Sequence, residues 1–274
     1  MLDSAVNPNK ALWEKGDFTR IADTMRQSGK EFVQTLDIKP TMRVLDLGCG
    51  DGTTALPAAS RGADVLGVDI AANLVARGNA RAQEAGLYNL HFIEGDASNL
   101  VAIDDGRFDL VISVFGAMFA PRPLDVAREM VRVTRPGGRI VMGNWIPGDP
   151  TLVAQILKIS AAYTPPPPEG FVSPMAWGDE QQVRERFEAA GIPAANISFE
   201  RATWYFRQEG PPSELLDTFR HYYGPTMNAF EAAARDNREP ELADALDKLF
   251  AARNRAGENT EIPATFLKVT VLKS

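Results

Sequence analysis

The sequence is poor in the two residue types that most often bind metals or form disulfides. It has one cysteine, Cys49, and two histidines, His91 and His221. A single cysteine cannot form an intramolecular disulfide, so a reducing, cytoplasmic location is expected. The two histidines lie far apart and no repeated acid pair is present, so no residues have the spacing of metal ligands and no metal site is expected.

Long apolar runs and an excess of positive charge are also missing. No stretch approaches the length of a membrane span, and residues 1–10 lack the apolar core of a signal peptide, so no membrane association is expected. The formal net charge is −7. Because a nucleic-acid partner requires a basic face, that partner is not expected either. The 274 residues suffice for one large α/β domain with insertions or for two small domains.

The most informative stretch is residues 42–52, M-R-V-L-D-L-G-C-G-D-G. A short apolar run surrounds Asp46, and glycines follow at Gly48, Gly50 and Gly52. This order predicts a buried strand, a tight turn and a helix. Glycines are needed in such a turn because a Cβ atom would keep the backbone away from a ligand, and because the turn uses dihedral angles that other residues avoid. The stretch therefore predicts a nucleotide-binding turn.

The glycine spacing distinguishes between two nucleotide ligands. A dinucleotide site has the pattern G-x-G-x-x-G, but Thr53 occupies the place of the third glycine. Residues 45–52 instead resemble, at every position, motif I of the class I S-adenosylmethionine (SAM) dependent methyltransferases, hydrophobic-D-hydrophobic-G-x-G-x-G. The resemblance implies an α/β Rossmann-like fold with a seven-stranded, mostly parallel sheet, SAM as cofactor and S-adenosylhomocysteine (SAH) as product. A carboxylate such as Asp46 can then accept from the amino-acid part of SAM through water or backbone.

Later strands extend the resemblance. Residues 63–70 form a predicted strand that ends at Asp69, where an acid can accept both hydroxyls of a ribose, although the same acid can cap the next helix. The G-D-A loop at residues 95–97 resembles the family's adenine loop, in which Asp96 accepts from the adenine amino group. The strand at 108–114 ends at the same sheet edge. The expected cofactor-binding residues are Asp46, Gly48, Cys49, Gly50, Asp69, Ile70, Asp96, Ala97 and Ser113.

Aromatic residues supply the candidates for the substrate site. Residues 9–36 are predicted to be helical, with breaks at Gly16 and Gly29, and an N-terminal segment of this kind often covers the cofactor in the family. The segment after the strand at 108–114 walls the site in the family. The candidate substrate-lining residues are Trp13, Phe18, Phe115, Phe119, Trp145 and Tyr222. Each of them can instead be ordinary core.

The expected organisation is a single domain over residues 1–274. It comprises an N-terminal helical segment (1–41), a SAM-binding core (42–148) and a C-terminal half (149–274). In the class I fold the last two strands form a hairpin, so a helical substrate cap at about 207–263 is expected between strands at 197–206 and 265–272.

The reaction that the resemblance implies is an in-line transfer of a methyl group to an O, N or C nucleophile of a substrate. The enzyme then mainly aligns the reactants and excludes water, and a general base is optional. His221 is the candidate base, with Tyr222 or Tyr223 as alternatives that position the substrate. A lone histidine on a predicted helix can also be a surface or packing residue.

Three functions follow as alternatives. The first is a methyltransferase that acts on a small, partly apolar molecule, with a homodimer possible. The second is an NAD-dependent oxidoreductase. The third is a non-catalytic SAM-binding protein, or an enzyme that acts on protein or RNA. The S-V-F-G segment at 113–116 lacks the N-P-P-Y pattern, so the arrangement that methylates amino groups of nucleic-acid bases is absent.

Overall fold

The structure is a computed structural model that describes residues 9–274. Within these residues, seven strands form one sheet in the order β3-β2-β1-β4-β5-β7-β6. The strands are β1 Arg43–Leu47, β2 Asp64–Asp69, β3 Leu90–Glu94, β4 Phe108–Val114, β5 Thr134–Trp145, β6 Ile197–Gln208 and β7 Thr260–Leu272. The first five are parallel, and β7 runs antiparallel between β5 and β6. The expected seven-stranded, mostly parallel sheet is confirmed.

Helices cover the sheet and precede it. They are α1 Asn9–Glu14, α2 Phe18–Asp23, α3 Arg26–Gln34, α4 Ala55–Ala59, α5 Ala72–Glu84, α6 Pro123–Val133, α7 Leu152–Ala161, α8 Glu180–Ala189, α9 Pro212–Tyr222, α10 Gly224–Arg235 and α11 Glu239–Arg253. The last three lie between β6 and β7, where the helical insertion was expected. No helix within residues 9–274 combines the length and the apolar character needed to cross a membrane.

The central strands are apolar because helices cover both of their faces. Val44, Leu45 and Leu47 of β1 are fully buried, as are Leu110 and Val111 of β4. A parallel strand between two others exposes neither face, so it takes a nearly continuous apolar run rather than an alternating one. The core therefore lies along β1 and β4, and their carboxyl ends meet at one edge of the sheet.

One predicted helix break is wrong. Gly16 separates α1 from α2 as expected, but Gly29 lies inside α3, and the break falls at Thr24 and Met25 instead. Gly29 is needed for packing, because a Cβ there would lie 2.5 Å from the Cγ2 atom and from the carbonyl oxygen of Thr53. The glycine therefore lets α3 approach Thr53, which directly follows the predicted nucleotide-binding turn.

Another difference concerns the start of β5. A Pro-Gly-Gly sequence, here Pro136-Gly137-Gly138, is typical of a turn before a strand, yet β5 already begins at Thr134. The pairing register with β4 shifts across this segment, from Phe108 opposite Thr134 to Leu110 opposite Arg139. The segment is thus an irregularity within a strand.

Two glycine backbones are in direct contact where β1 and β4 end. A Cβ on Gly48 would lie 2.7 Å from the Cα atom of Gly116, and a Cβ on Gly116 would lie 2.1 Å from the carbonyl oxygen of Gly48. Gly48 also has a positive φ of 68°, which residues with a side chain rarely adopt. Only glycine at both positions allows the two turns to pack together.

This contact predicts a large loss of stability for Gly116→Ala. The added methyl group must displace the β1 turn, so we expect a loss of about 3 kcal/mol in the free energy of unfolding, measured by urea denaturation. Gly86→Ala is the control, because Gly86 has a φ of 67° but nothing within 4 Å of its added Cβ. That backbone strain costs about 1–2 kcal/mol. Equal losses in the two variants would contradict close packing at Gly116.

Candidate functional site

A cavity lies where β1, β2, β3 and β4 end. It is lined by residues at or shortly after the ends of these strands, among them Gly48, Cys49, Gly50, Asp69, Ile70, Gly95, Ala97, Phe115 and Gly116. In open α/β sheets, ligands bind outside the carboxyl ends of the strands. We call this space the cofactor cavity. The predicted nucleotide-binding turn forms one of its walls.

Asp69 is the acid best placed to bind a ligand in this cavity. Its Oδ2 atom accepts from the amide of Gly50 at 2.8 Å, and its Oδ1 atom accepts from the amide of Ala71 at 3.0 Å. The carboxylate is therefore tied to the glycine turn and to the start of α5, whose N-cap residue is Ala71. Burial raises the pKa of the Asp69 carboxyl, and the two amide hydrogen bonds oppose that rise.

Asp46 lies behind the cavity rather than in its wall. It is 1% exposed and its Oδ2 atom accepts from the hydroxyl of Thr54 at 2.5 Å. Thr54 itself lines the cavity. The other carboxyl oxygen, Oδ1, is buried and has no hydrogen-bond partner within residues 9–274. Burial raises the pKa of Asp46 to about 7, and the nearby charge of Asp69 adds to the rise.

Two expected cofactor residues have other roles in the structure. The hydroxyl of Ser113 donates to the carbonyl of Leu47 at 2.7 Å and accepts from the amide of Ala117 at 3.0 Å, so it links the ends of β1 and β4. Ser113 does not line the cofactor cavity. Asp96 does not line it either, and its Oδ1 atom accepts from the amide and the hydroxyl of Ser98.

Asp51 lies in the same turn and lines the cavity, although it was not among the residues predicted from the sequence. Asp51 is 1% exposed and forms ion pairs with Arg26 of α3 and Arg81 of α5. The acid between two motif glycines was visible in the sequence. Its partner Arg26 precedes β1 in the chain, and its partner Arg81 follows β2. No local spacing in the sequence therefore indicated that these three residues contact one another.

A second cavity is lined almost entirely by apolar and aromatic side chains, and we call it the apolar cavity. Five residues line both cavities: Trp13, Phe18, Met25, Phe115 and Phe119. The remaining wall of the apolar cavity consists of Ile21, Trp145, Val153, Ile156, Leu157, Phe206, Phe219 and Tyr223, which belong mainly to α7, α9 and β6. The two cavities are therefore neighbours that share an aromatic boundary.

Phe115 occupies that boundary in an uncommon backbone conformation. Its φ is 56°, in the left-handed region that a residue with a bulky side chain rarely adopts. Its ring stacks on Trp145 with centroids 3.5 Å apart and an interplanar angle of 6°, and it contacts Trp204 edge-on at 5.0 Å. Strained residues persist where the surroundings fix them, and they cluster at ligand sites. The ring is thus fixed between the two cavities.

The structure brings most of the expected substrate-lining residues together. Trp13, Phe18, Phe115 and Phe119 line both cavities, and Trp145 lines the apolar cavity. Tyr222 lines neither cavity, contrary to the prediction that it contacts the substrate. It is 38% exposed and faces a surface depression near Arg20, whose guanidinium lies 5.9 Å from the tyrosine ring. Its neighbour Tyr223 lines the apolar cavity instead.

His221 is also a correction. It lies on the exposed face of α9, with its Nδ1 atom 2.8 Å from the carbonyl oxygen of Asp217 one turn earlier. It lines neither cavity. Its position on the surface therefore gives no support to the prediction that His221 is a general base.

The raised pKa of Asp46 predicts a pH-dependent stability. The native state holds this proton up to about pH 7, whereas the unfolded chain releases it near pH 4. The contribution of Asp46 to stability is therefore present at low pH and is lost as the pH rises from about 4 to 7.

Asp46→Asn cannot ionise and keeps an acceptor for Thr54. From pH 4.5 to pH 8, its unfolding free energy should rise by about 2–4 kcal/mol relative to the natural protein. Parallel pH profiles in urea denaturation would contradict this.

Comparison with known proteins gives the family. Residues 45–142 match the family model described as a methyltransferase domain. An uncharacterised protein of Mycobacterium tuberculosis (strain ATCC 25618 / H37Rv) is 35% identical over 240 residues, which are 87% of this chain and 84% of that protein. Demethylmenaquinone methyltransferase of Paenarthrobacter aurescens (strain TC1) is 36% identical over 113 residues, which are 41% of this chain and 42% of that protein.

Solved structures agree in fold. Phosphoethanolamine N-methyltransferase 2 of Haemonchus contortus, in complex with SAM, has a TM-score of 0.57 at 17% identity, covering 90% of this chain and 53% of that one. Geranyl diphosphate C-methyltransferase of Streptomyces coelicolor A3(2) has a TM-score of 0.53 at 17% identity, covering 100% and 90%. The match of residues 45–142 to the methyltransferase domain sets the oxidoreductase alternative aside, and the chain belongs to the class I SAM-dependent methyltransferase family.

Proposed function

We propose that this chain binds SAM in the cofactor cavity and transfers its methyl group to a small, partly apolar acceptor held in the apolar cavity. The observation that carries the proposal is the shared aromatic boundary, which places a nucleotide-type cavity directly beside an apolar one. A transferase must hold two ligands in contact, and two cavities with a common wall suit that requirement.

The charge of the cofactor cavity supports SAM over a dinucleotide. Of the described residues that line it, Asp51 and Asp69 are acidic and none is Lys, Arg or His. Arg26 and Arg81 pair with Asp51, so Asp69 is the lining acid without an ion pair among the described residues. SAM carries a positive sulfonium and an ammonium group, whereas a dinucleotide carries a pyrophosphate that needs donors or cations around it. The lining is therefore matched to a ligand with positive charge.

The shape of the turn supports the same ligand. A Cβ on Gly50 would meet only ring atoms of Phe18, at 3.9 Å, so it would project into the space of the cavity. Asp69 is placed to accept the ribose hydroxyls, and the apolar side chains of Ile70, Leu74 and Ala97 would contact the adenine. These residues fit an adenosyl group.

Aromatic faces at the boundary fit a sulfonium ion. The rings of Trp13 and Phe119 lie edge to face with centroids 4.8 Å apart, and Phe18 contacts Trp13 at 5.7 Å. The negative face of an aromatic ring attracts a cation, most strongly where water is excluded. We infer that this cluster holds the charged sulfur at the opening between the two cavities.

The protein contributes to the reaction mainly by aligning the reactants and excluding water. SAM supplies an already activated methyl group, so the protein needs to orient the acceptor and exclude water. The wall of the apolar cavity contains no carboxylate or imidazole among the described residues. The acceptor is therefore a nucleophile that needs no strong base. The names of demethylmenaquinone methyltransferase and geranyl diphosphate C-methyltransferase specify small-molecule substrates, which supports a small molecule as the methyl acceptor here.

The proposal predicts that SAM and SAH bind with micromolar affinity and NADH does not, measured by calorimetric titration. Asp69→Ala should weaken SAM binding roughly 10- to 100-fold, because it removes charge-assisted hydrogen bonds to the ribose. Asp64→Ala is the matched control, since Asp64 lies exposed at the opposite end of the same strand. Its affinity should equal that of the natural protein.

Thermal unfolding of each variant separates loss of binding from loss of structure, because Asp69 also holds the glycine turn. NADH binding without SAM binding would overturn the proposal. Equal SAM affinity in Asp69→Ala and the natural protein would remove Asp69 from the site.

A further inference from the structure

Three residues that line the apolar cavity carry a side-chain group that can donate a hydrogen bond. They are Tyr223, with its hydroxyl, and Trp13 and Trp145, with their indole N–H groups. An indole N–H donates only, and a phenol both donates and accepts. No carboxylate, amide or amine side chain of residues 9–274 lines this cavity. Each of these three groups can therefore donate a hydrogen bond to an oxygen atom of a ligand.

Tyr223 is firmly positioned at the junction of α9 and α10. Its amide donates to the carbonyl of Phe219 at 3.1 Å, and its carbonyl accepts from the amide of Met227 at 2.9 Å. The ring packs against Phe219 at 5.4 Å, Trp13 at 6.1 Å and Phe18 at 6.2 Å between centroids. With 8% exposure, the side chain is held by both backbone and packing.

The hydroxyl of Tyr223 has no hydrogen-bond partner among the described residues of the chain. No hydrogen bond within the described residues therefore requires a hydroxyl at this position, and phenylalanine would fill the same space. Burial also raises the pKa of the Tyr223 phenol well above its usual value, so the group stays neutral and keeps its proton for donation. The hydroxyl is thus available to a ligand.

We propose that Tyr223 determines the acceptor: its hydroxyl donates a hydrogen bond to one oxygen of a small aromatic molecule whose ring lies against the aromatic wall. The inference rests on the proposed function, which makes the apolar cavity the acceptor site. Tyr223 is here a binding residue that selects and orients the acceptor, and it takes no proton from it.

The wall favours a planar acceptor over a branched aliphatic one. Aromatic pairs gain from stacked and edge-to-face geometries beyond the area they bury. Phe115 and Trp145 present a rigid stacked pair, and Phe206 continues it at 6.2 Å from Trp145 with an interplanar angle of 27°. Phe219 then meets Phe206 edge-on at 5.6 Å. These faces match an aromatic ring carrying one polar oxygen.

Phenol and toluene test the proposal because they have nearly the same shape and differ in the hydroxyl. We would measure the affinity of both by calorimetry for the natural protein, Tyr223→Phe and Tyr222→Phe, with saturating SAH to block the cofactor cavity. The ratio of phenol affinity to toluene affinity should fall roughly three- to tenfold in Tyr223→Phe, the effect of one lost hydrogen bond. Tyr222→Phe is the matched control, since Tyr222 lies outside the cavity, and its ratio should stay unchanged.

Thermal unfolding adds a readout that a structural role would change. Tyr223→Phe should melt no lower than the natural protein, because the hydroxyl has no partner in the fold. An unchanged affinity ratio, a lower melting temperature, or failure of the natural protein to bind phenol would each overturn the proposal. SAH binding is scored separately: if no variant binds SAH, the proposed function fails, whereas SAH binding with an unchanged ratio refutes only the role of Tyr223.

Discussion

The contact between the backbones of Gly48 and Gly116 sets the geometry of the whole site. It brings the turn after β1 against the turn after β4, and the hydroxyl of Ser113 joins them through Leu47 and Ala117. Phe115 directly precedes Gly116 and adopts a φ of 56°. The same packing that forms the cofactor turn thereby fixes the ring that separates the two cavities. A change in one wall therefore affects the other.

Three buried acids lie near the glycine turn and are held in different ways. Asp46 and Asp69 are buried near each other, and burial raises the pKa of both. Asp51 forms ion pairs with Arg26 and Arg81. A raised pKa favours the neutral form of a carboxyl group, so a positively charged ligand beside Asp69 would be stabilised as that carboxyl ionises. The proposed binding of SAM in the cofactor cavity is consistent with this arrangement.

The sequence predicted the parts of the fold that depend on local pattern. The apolar runs of β1 and β4 and the acid at the end of β2 are all present where they were expected. The cap residues were harder, because Tyr222 and Tyr223 both fall on the helical repeat of Leu215 and Phe219. Helix α9 ends at Tyr222, and the chain turns at Tyr223 with φ −98° and ψ 106°, so the repeat no longer tells which ring points inward. Contacts between distant segments, such as Gly29 with Thr53, could not be predicted because they produce no local pattern in the sequence.

The assignment of the two cavities is tested most directly by a crystal structure of the protein with SAH. In that structure the ribose hydroxyls should lie on the carboxylate of Asp69, the adenine against Ile70 and Ala97, and the sulfur at the opening between the two cavities beside Phe115. An SAH molecule bound elsewhere, or one whose sulfur faces away from the apolar cavity, would contradict the assignment of the two cavities to cofactor and acceptor.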